Sequence, residues 1–425
     1  MRDEAKRYIL KTYDTELIDF TVQSDSFGRI QVAINEIDTS KQHLFPMQIL
    51  AEPSGESVRE WLKSRTIPKN RQFVYQILSM AGLDIADTMG IIDVCKGLSL
   101  NDAYWVDDES EKIGFSDINL FENALDEVLS YVAYTGRTST QKHQIGLSTE
   151  WTTNGQYPKA WRKIDGNLYL FKSGSEGFAN AGLEPYSEYF AAQAAKKMEL
   201  KHVFYDLQRW NGKMASVCPL FNTKDVSFVP FWAATDHSRF PTNLAIANEM
   251  SETFFEELRS MIVFDALICN PDRHAGNYGF LRDNRTGKIE AMAPLFDHNR
   301  SLFAMEMRED FPFFQQKANT QYMPATGLLT FKGECENVMG ELQHEQLRKM
   351  INFQFENHPV YPVPEERLEA LNDYIGRRIE ELLKIPTVNE KYLQKTMKKE
   401  FAMIERPAPA LEMANMYNKV KKKIR

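Results

Sequence analysis

The stretch that most constrains the fold is FFEELRSMIVFDALICN, residues 254–270, together with the way it ends. Its apolar spacing predicts a long, largely buried helix. The chain then reads PDRHAGN, so Asp272, Arg273, His274 and Asn277 follow a core element with no linker between. A second abrupt change comes in APLFDHNRSL, where Asp297 closes an apolar run. Polar groups at the end of a buried helix imply that this end faces a cleft, because burying them unpaired would be costly.

The 425 residues suffice for two or three domains with a substantial core. A formal net charge of −8 argues against a generally basic nucleic-acid binder. The basic run KVKKKIR at 419–425 reads as a solvated helix end. MRDEAKRY lacks the apolar core of a secretory signal, and the best apolar run, MIVFDALIC, is too short for a membrane span and is interrupted by Asp265. Cys95, Cys218, Cys269 and Cys335 are scattered without metal-type pairing, so a reducing cytoplasm is the expected setting.

Residues 1–140 read as a mixed α/β region, with a strand in GRIQVAINEI, helices in KNRQFVYQILSMAGL and ENALDEVLSYVAYTG, and an acidic loop at DDESEKIGFSD. Gly136 is the expected stop of the second helix. Residues 141–235 are richer in strands. TTNGQYPKAWRKIDGNLYLFKSG predicts a hairpin turning at IDG, SEYFAAQAAKKMEL a helix capped by Ser187, and MASVCPLFN another strand. Residues 236–425 are mainly helical, with short strands expected at YGFLRD and KIEAMAPLF and an amphipathic helix in PEERLEALNDYIGRRIEELLKI. A strand-rich segment followed by a helix-rich one predicts an α+β fold of two lobes with a cleft between them.

Three groups of residues carry chemistry. Asp272, Asn277 and Asp297 supply hard oxygen donors suited to Mg²⁺, and phosphoryl transfer needs a carboxylate at the attacking hydroxyl with an amide and a second carboxylate at the metal. Asp, Asn and Gly also favour plain turns, and a zinc site from His274 and His298 lacks a third ligand. In NLYLFKSG, alternation places Lys172 on the face of Leu168 and Leu170, where its charge needs a partner unless it snorkels at the strand end. Glu188 shares a helical stripe with Ala191, Ala192 and Ala195, so it faces inward as well. The hydroxyls, Gly155 and Lys159 of TTNGQYPKAW suit a phosphate-capping loop, or an ordinary hairpin edge. The order of these groups along the chain is what links them: loop, strand lysine, helix glutamate, Asp with Asn, then Asp.

On these residues the chain resembles the HipA-like kinases, a bacterial family with a protein-kinase-like fold. NPDRHAGN resembles their catalytic loop N-x-D-x-H-x-x-N, LFDHNRSL their metal-binding segment and NGQYPKA their phosphate loop G-x-x-P-K-A. YLFK and SEYFAAQAAKKMEL are similar to the nucleotide lysine and the acidic helix after it. The resemblance implies ATP and Mg²⁺ as cofactors, Asp272 as catalytic base, Asn277 and Asp297 as metal ligands, and Lys172 on the phosphates with Glu188 in support. It implies Thr153, Asn154, Gly155 and Lys159 as phosphate-loop contacts, and Cys218 and Leu220 beside adenine. It further implies a protein Ser/Thr substrate, a DNA-binding antitoxin as partner, and self-phosphorylation at Thr152, three positions before Gly155. The D-R-H-x-x-N pattern is also similar to phosphatidylinositol kinases, which leaves a lipid or small-molecule kinase as an alternative, alongside a nucleotide-binding pseudokinase. Asp-His-Asn stands where conventional protein kinases carry Asp-Phe-Gly.

Overall fold

The computed structural model describes residues 5–25, 29–138, 144–177, 180–235, 240–404 and 408–413. Three sheets organise the described chain. The first contains β1 (Lys6–Thr12), β2 (Thr15–Ser24), β3 (Ile30–Ile37) and β4 (Tyr104–Asp107) in the order β3-β2-β1-β4, with every neighbouring pair antiparallel. A register shift between Asp19 and Phe20 lets β2 bury both Leu17 and Ile18 before alternation resumes at Phe20 and Val22.

The second sheet holds β5 (Lys159–Ile164), β6 (Asn167–Ser173), β7 (Asp206–Trp210) and β8 (Lys213–Pro219), ordered β5-β6-β8-β7. Both its hairpins turn on two residues with positive φ, Asp165-Gly166 at 48° and 81° and Asn211-Gly212 at 48° and 81°. Such turns match the right-handed twist of the strands they join. The hairpin expected at IDG is therefore present. The third sheet, β9 (Val226–Pro230), β10 (Gly279–Asp283) and β11 (Ile289–Met292), runs β11-β10-β9.

The long helix spans Glu252–Ile268, capped by the Ser251 hydroxyl, and Cys269 ends it in a left-handed conformation with φ 51°. The last carbonyls of a helix have no partner within it. Here the Asp265 carbonyl accepts from the Asn270 N–H at 2.9 Å, Ala266 from Arg378 Nε at 2.9 Å, Leu267 from the Tyr374 hydroxyl at 3.1 Å and Ile268 from the Leu302 N–H at 2.9 Å. Arg378 and Tyr374 belong to the helix Glu365–Leu383, whose buried Leu371, Ile375, Ile379 and Leu382 recur at helical spacing. Saturating its carbonyls in this way lets a core helix stop where the polar cluster begins.

The largest core runs from Leu10, Phe20 and Trp61 through Ala194 to Phe264, Leu267, Tyr374 and Met397. Residues of the first sheet are thus packed into the same core as the helical region. Arg282 of β10 extends this tie, donating to the carbonyls of Phe45 at 3.0 Å and His43 at 2.8 Å and to the Tyr104 hydroxyl at 2.7 Å. A satellite core joins Tyr134 to Phe171, Ala215 and Val217 of the second sheet.

Three helix boundaries differ from expectation. The helix expected over 69–83 is confined to Val74–Met80, because Phe73 takes φ 63° and Arg71 before it turns toward the segment from Glu150 to Lys159. The helix expected over 122–136 begins only at Glu127, where the Asp126 carboxylate accepts from the Leu129 N–H, and ends as expected at Gly136 with φ 73°. Ser187 is not a cap. Its helix starts one turn earlier, at Glu184, with Pro185 in the first turn where its missing N–H costs nothing. The Ser187 hydroxyl instead donates to the Ser301 carbonyl at 2.9 Å. The basic run 419–425 lies outside the described residues.

Gly279 marks where β10 is pressed against β9. A Cβ there would lie 2.1 Å from the Val229 carbonyl oxygen and 2.9 Å from Pro230 Cα, both backbone atoms that cannot swing aside. Gly279→Ala is expected to destabilise the protein by about 2–3 kcal/mol through overpacking. A urea titration checks this, with a lower midpoint and an unchanged slope as the expected result.

Candidate active site

The loop after the long helix is built around Arg273. Its guanidinium donates to both carboxylate oxygens of Asp265 (2.9 and 3.0 Å), to the carbonyls of Asn277 (2.8 Å) and Phe296 (2.6 Å), and to His298 Nδ1 (2.8 Å). Burial opposes the Arg273 charge, but Asp265 outweighs it and raises the guanidinium pKa further. His298 is fully buried, and burial together with Arg273 holds its pKa well below 6.5, so the ring is neutral. With Nδ1 accepting from Arg273, the ring proton sits on Nε2, which has no partner among the described residues.

This frame aims two residues of the loop. The Asp272 N–H donates to Asn270 Oδ1 at 3.2 Å, leaving the Asp272 carboxylate about a third exposed (36 %) at the cleft, 3.9 Å from Arg300. Asn277 donates through Nδ2 to the Asp272 carbonyl at 3.0 Å, which fixes the flip of its amide and leaves its oxygen without a donor among the described residues. Gly276 is confined between them, since a Cβ there would lie 2.9 Å from the His274 ring.

Lys172 and Glu188 meet. Lys172 Nζ donates to Glu188 Oε1 at 3.1 Å and also forms an ion pair with Asp297. Glu188 Oε2 accepts from the His298 N–H at 2.8 Å, and the Asp297 N–H donates to the Tyr205 hydroxyl at 3.2 Å, so the strand, the helix and the segment around Asp297 are tied together. Burial lowers the tendency of Lys172 to hold its proton, yet Asp297 and Glu188 overcome this and raise its pKa. Burial likewise pushes the Asp297 carboxyl up, but Lys172, Lys159 and Arg273 hold it well below the usual carboxylate range. An ionised carboxylate and a free amide oxygen suit a hard cation that keeps waters and shares phosphate oxygens. Among the described residues no cluster of three His, Cys, Asp or Glu side chains offers a site that would hold a metal by itself.

Lys159 pairs across the hairpin with Lys172, and its Nζ donates to the Asn154 carbonyl at 2.9 Å. Thr152 is buried, its hydroxyl donating to the Leu98 carbonyl at 2.8 Å, while the Thr153 hydroxyl donates to the Thr149 carbonyl at 2.7 Å. Cys218 is buried on β8 opposite Leu170, its thiol pushed up by burial. The Leu220 N–H donates to the Leu168 carbonyl at 2.9 Å, so Leu220 offers the cleft its carbonyl and side chain rather than a free donor.

All of Thr152, Thr153, Asn154, Gly155, Lys159, Lys172, Cys218, Leu220, Asp272, Asn277 and Asp297 line one cleft of about 620 Å³. Glu188 lies behind it, reaching the cleft through Lys172. A neighbouring cavity of about 690 Å³ shares Ser99, Asn101, Thr152, Asn154, Phe228, Pro230 and Trp232 with it but neither Asp272 nor Asp297. Sequence reasoning missed Ser99, Leu100 and Asn101, which place the N-terminal region in the cleft wall. It also missed Arg273 and Asp265, although a carboxylate inside MIVFDALIC and an arginine just beyond the helix were the available signals.

No family model matches the chain, and no curated protein matches it in sequence. Over 91 % of its length it matches 99 % of a chain in the Shewanella oneidensis MR-1 toxin–antitoxin complex of HipA, HipB and operator DNA, with a TM-score of 0.53 and 11 % identity. The fold is that of HipA. A Helicobacter pylori proinflammatory kinase, CtkA, aligns over 57 % of this chain and 94 % of its own, with a TM-score of 0.42 and 16 % identity. The fold shared with HipA is α+β, in agreement with the expectation. No helix among the described residues is long and apolar enough to cross a membrane.

Burial, and next the neighbouring charge of Lys172, push the Lys159 pKa from its ordinary 10.5 down to about 7. The unfolded chain holds this proton up to about pH 10.5, whereas the folded chain sheds it near 7, so stability rises with pH across that window. Below it, the folded protein bears a buried, poorly paired charge. Lys159→Met is therefore expected to stabilise the protein by about 2–3 kcal/mol near pH 6, allowing for the lost hydrogen bond, and the gain should vanish toward pH 10.5. Melts across this range check it; a gain independent of pH would contradict the assignment.

Proposed function

We propose that the protein is an Mg²⁺- and ATP-dependent kinase that transfers the γ-phosphoryl group to a Ser or Thr hydroxyl of a protein substrate. The observation that carries the reading is the meeting of Lys172, Glu188 and Asp297 in the cleft that Asp272 and Asn277 also line. Asp272, open to the cleft, accepts or orients the proton of the attacking hydroxyl. Lys172, now paired with Asp297, would neutralise the α/β-phosphates. Asn277 and Asp297 would hold Mg²⁺, which supplies charge neutralisation for the phosphates when bound. Phe221, Leu170 and Cys218 form an apolar wall for the base.

Asp297→Ala is expected to remove the Mg²⁺-dependent part of ATP affinity without unfolding the chain. Asp272→Ala should keep that affinity and lose about 10²–10⁴-fold in transfer, because a proton-accepting group is not needed for binding. Calorimetric ATP titrations with and without Mg²⁺, with circular dichroism as the fold control, separate the two. Unchanged Mg²⁺-dependent affinity in Asp297→Ala would sink the metal role.

Self-phosphorylation at Thr152 is part of the same proposal. Its hydroxyl now faces Leu98, so transfer to it requires the loop to leave its seat, and about −2 of added charge would then oppose return beside the nucleotide phosphates. Peptide mass spectrometry of active protein should find phosphate on Thr152 and none in Asp272→Ala. An unmodified loop in protein active on another substrate, or phosphate on Ser148, Thr149 or Thr153 alone, would overturn the assignment. The solved HipA neighbour is in a complex with HipB and operator DNA. A DNA-binding antitoxin is our proposal for this chain's partner too. Native affinity purification that yields no stoichiometric DNA-binding protein would count against it.

A further inference from the structure

The N-terminal region contributes more to the cleft than a wall. Arg71, which immediately precedes the turn at Phe73, is fully buried and forms an ion pair with the fully buried Glu150 at the start of the phosphate loop. The same guanidinium donates to the carbonyls of Glu150 at 2.5 Å, Thr153 at 3.3 Å and Lys159 at 3.1 Å. It thus grips both ends and the middle of the segment from Glu150 to Lys159. Next to it, the Gln72 N–H donates to the Gln156 carbonyl at 2.9 Å. Glu150 in turn accepts from the Thr149 hydroxyl at 3.1 Å and from the Trp161 N–H at 3.3 Å, locking the loop's stem to β5.

Drawing carbonyls to one side has a consequence on the other. A trans peptide points its N–H opposite to its C=O. With the Thr153 carbonyl on Arg71, the N–H of Asn154 is turned away from Arg71, and neither it nor the N–H of Gly155 has an acceptor among the described residues. Gly155 holds φ at 100°, and a Cβ there would lie 2.0 Å from Lys159 Nζ, so the loop passes directly over that ammonium. Successive free N–H groups beside a lysine form a concavity suited to phosphate oxygens.

We infer that Arg71 is a positioning residue of the nucleotide site: by holding the loop's carbonyls it keeps the loop's N–H groups presented to the phosphates. The inference rests on the nucleotide-binding reading above for its affinity readout. The fork is what matters, since a lysine keeps the charge facing Glu150 but cannot reach three carbonyls in one plane. Arg71→Lys is therefore the decisive variant, because it leaves the buried carboxylate paired. Arg71→Met/Glu150→Gln is its companion, removing both charges together so that neither is left alone in the core.

Both variants are expected to keep a cooperative melt and to raise the Kd for Mg-ATP about tenfold, the worth of one or two hydrogen bonds. Under saturating ATP, kcat for Arg71→Lys should approach that of the natural chain, so that the defect lies in KM. Amide hydrogen exchange over 151–158 should speed up in Arg71→Lys while β8 and the long helix stay unchanged. Affinity within twofold of the natural chain in Arg71→Lys, or a loss confined to kcat, would overturn the inference. If the natural chain itself binds no Mg-ATP, the kinase reading fails separately. The positioning role is then decided by exchange alone, and equal exchange of the loop in both proteins refutes it.

Discussion

Arg273 is the residue on which the arrangement of the cleft depends. One guanidinium reaches the long helix through Asp265, the loop through the Asn277 carbonyl, and the segment around Asp297 through the Phe296 carbonyl and His298. A buried charge is tolerated only when its hydrogen bonds are made and a counter-charge is near. Satisfying Arg273 therefore holds these three segments in one place, and with them Asp272 and Asp297. A lysine would supply the charge without the planar fork and would leave the carbonyls unmatched.

Much of the fold was legible wherever local chemistry decided it. Asp165-Gly166 announced a hairpin because few residue pairs accept two positive φ angles, and Gly136 announced a helix end for a related reason. The long helix showed in its apolar spacing, and its abrupt end in the polar run that follows. Ser187 misled because hydroxyls favour caps in general, whereas its partner, the Ser301 carbonyl, is 114 residues away. The helix expected from Lys69 was cut short by a similar long-range demand, since Arg71 is committed to Glu150, 79 residues on.

The candidate site divides along the same line. Lys172 and Glu188 were each readable as inward-facing charges, and periodicity alone suggested that both needed partners. That they satisfy each other, and that Asp297 joins them, is a tertiary fact. Asp272 and Asn277 stood out because acids and amides rarely follow a core helix without purpose. Arg273, the group that fixes both, was read only as their neighbour. The role of residues 1–140 was opaque for a physical reason: contacts to the cleft wall run through backbone carbonyls of Leu98, Leu100 and Asn101, which carry no side-chain signature, and Arg71 meets its partner Glu150 only 79 residues on.

The shared core has a further consequence for how such a chain is made. Leu10 and Phe20 are buried in the same cluster as Tyr374 and Met397, so part of the core that the first sheet joins is synthesised hundreds of residues after it. Such a core is complete only when those later residues have been made. The end of the long helix is closed by Arg378 and Tyr374, which are synthesised about a hundred residues after it. Nascent chains and truncated products therefore carry the motif residues without the geometry that aims them. Assembly of the cleft therefore waits for synthesis of the helix Glu365–Leu383.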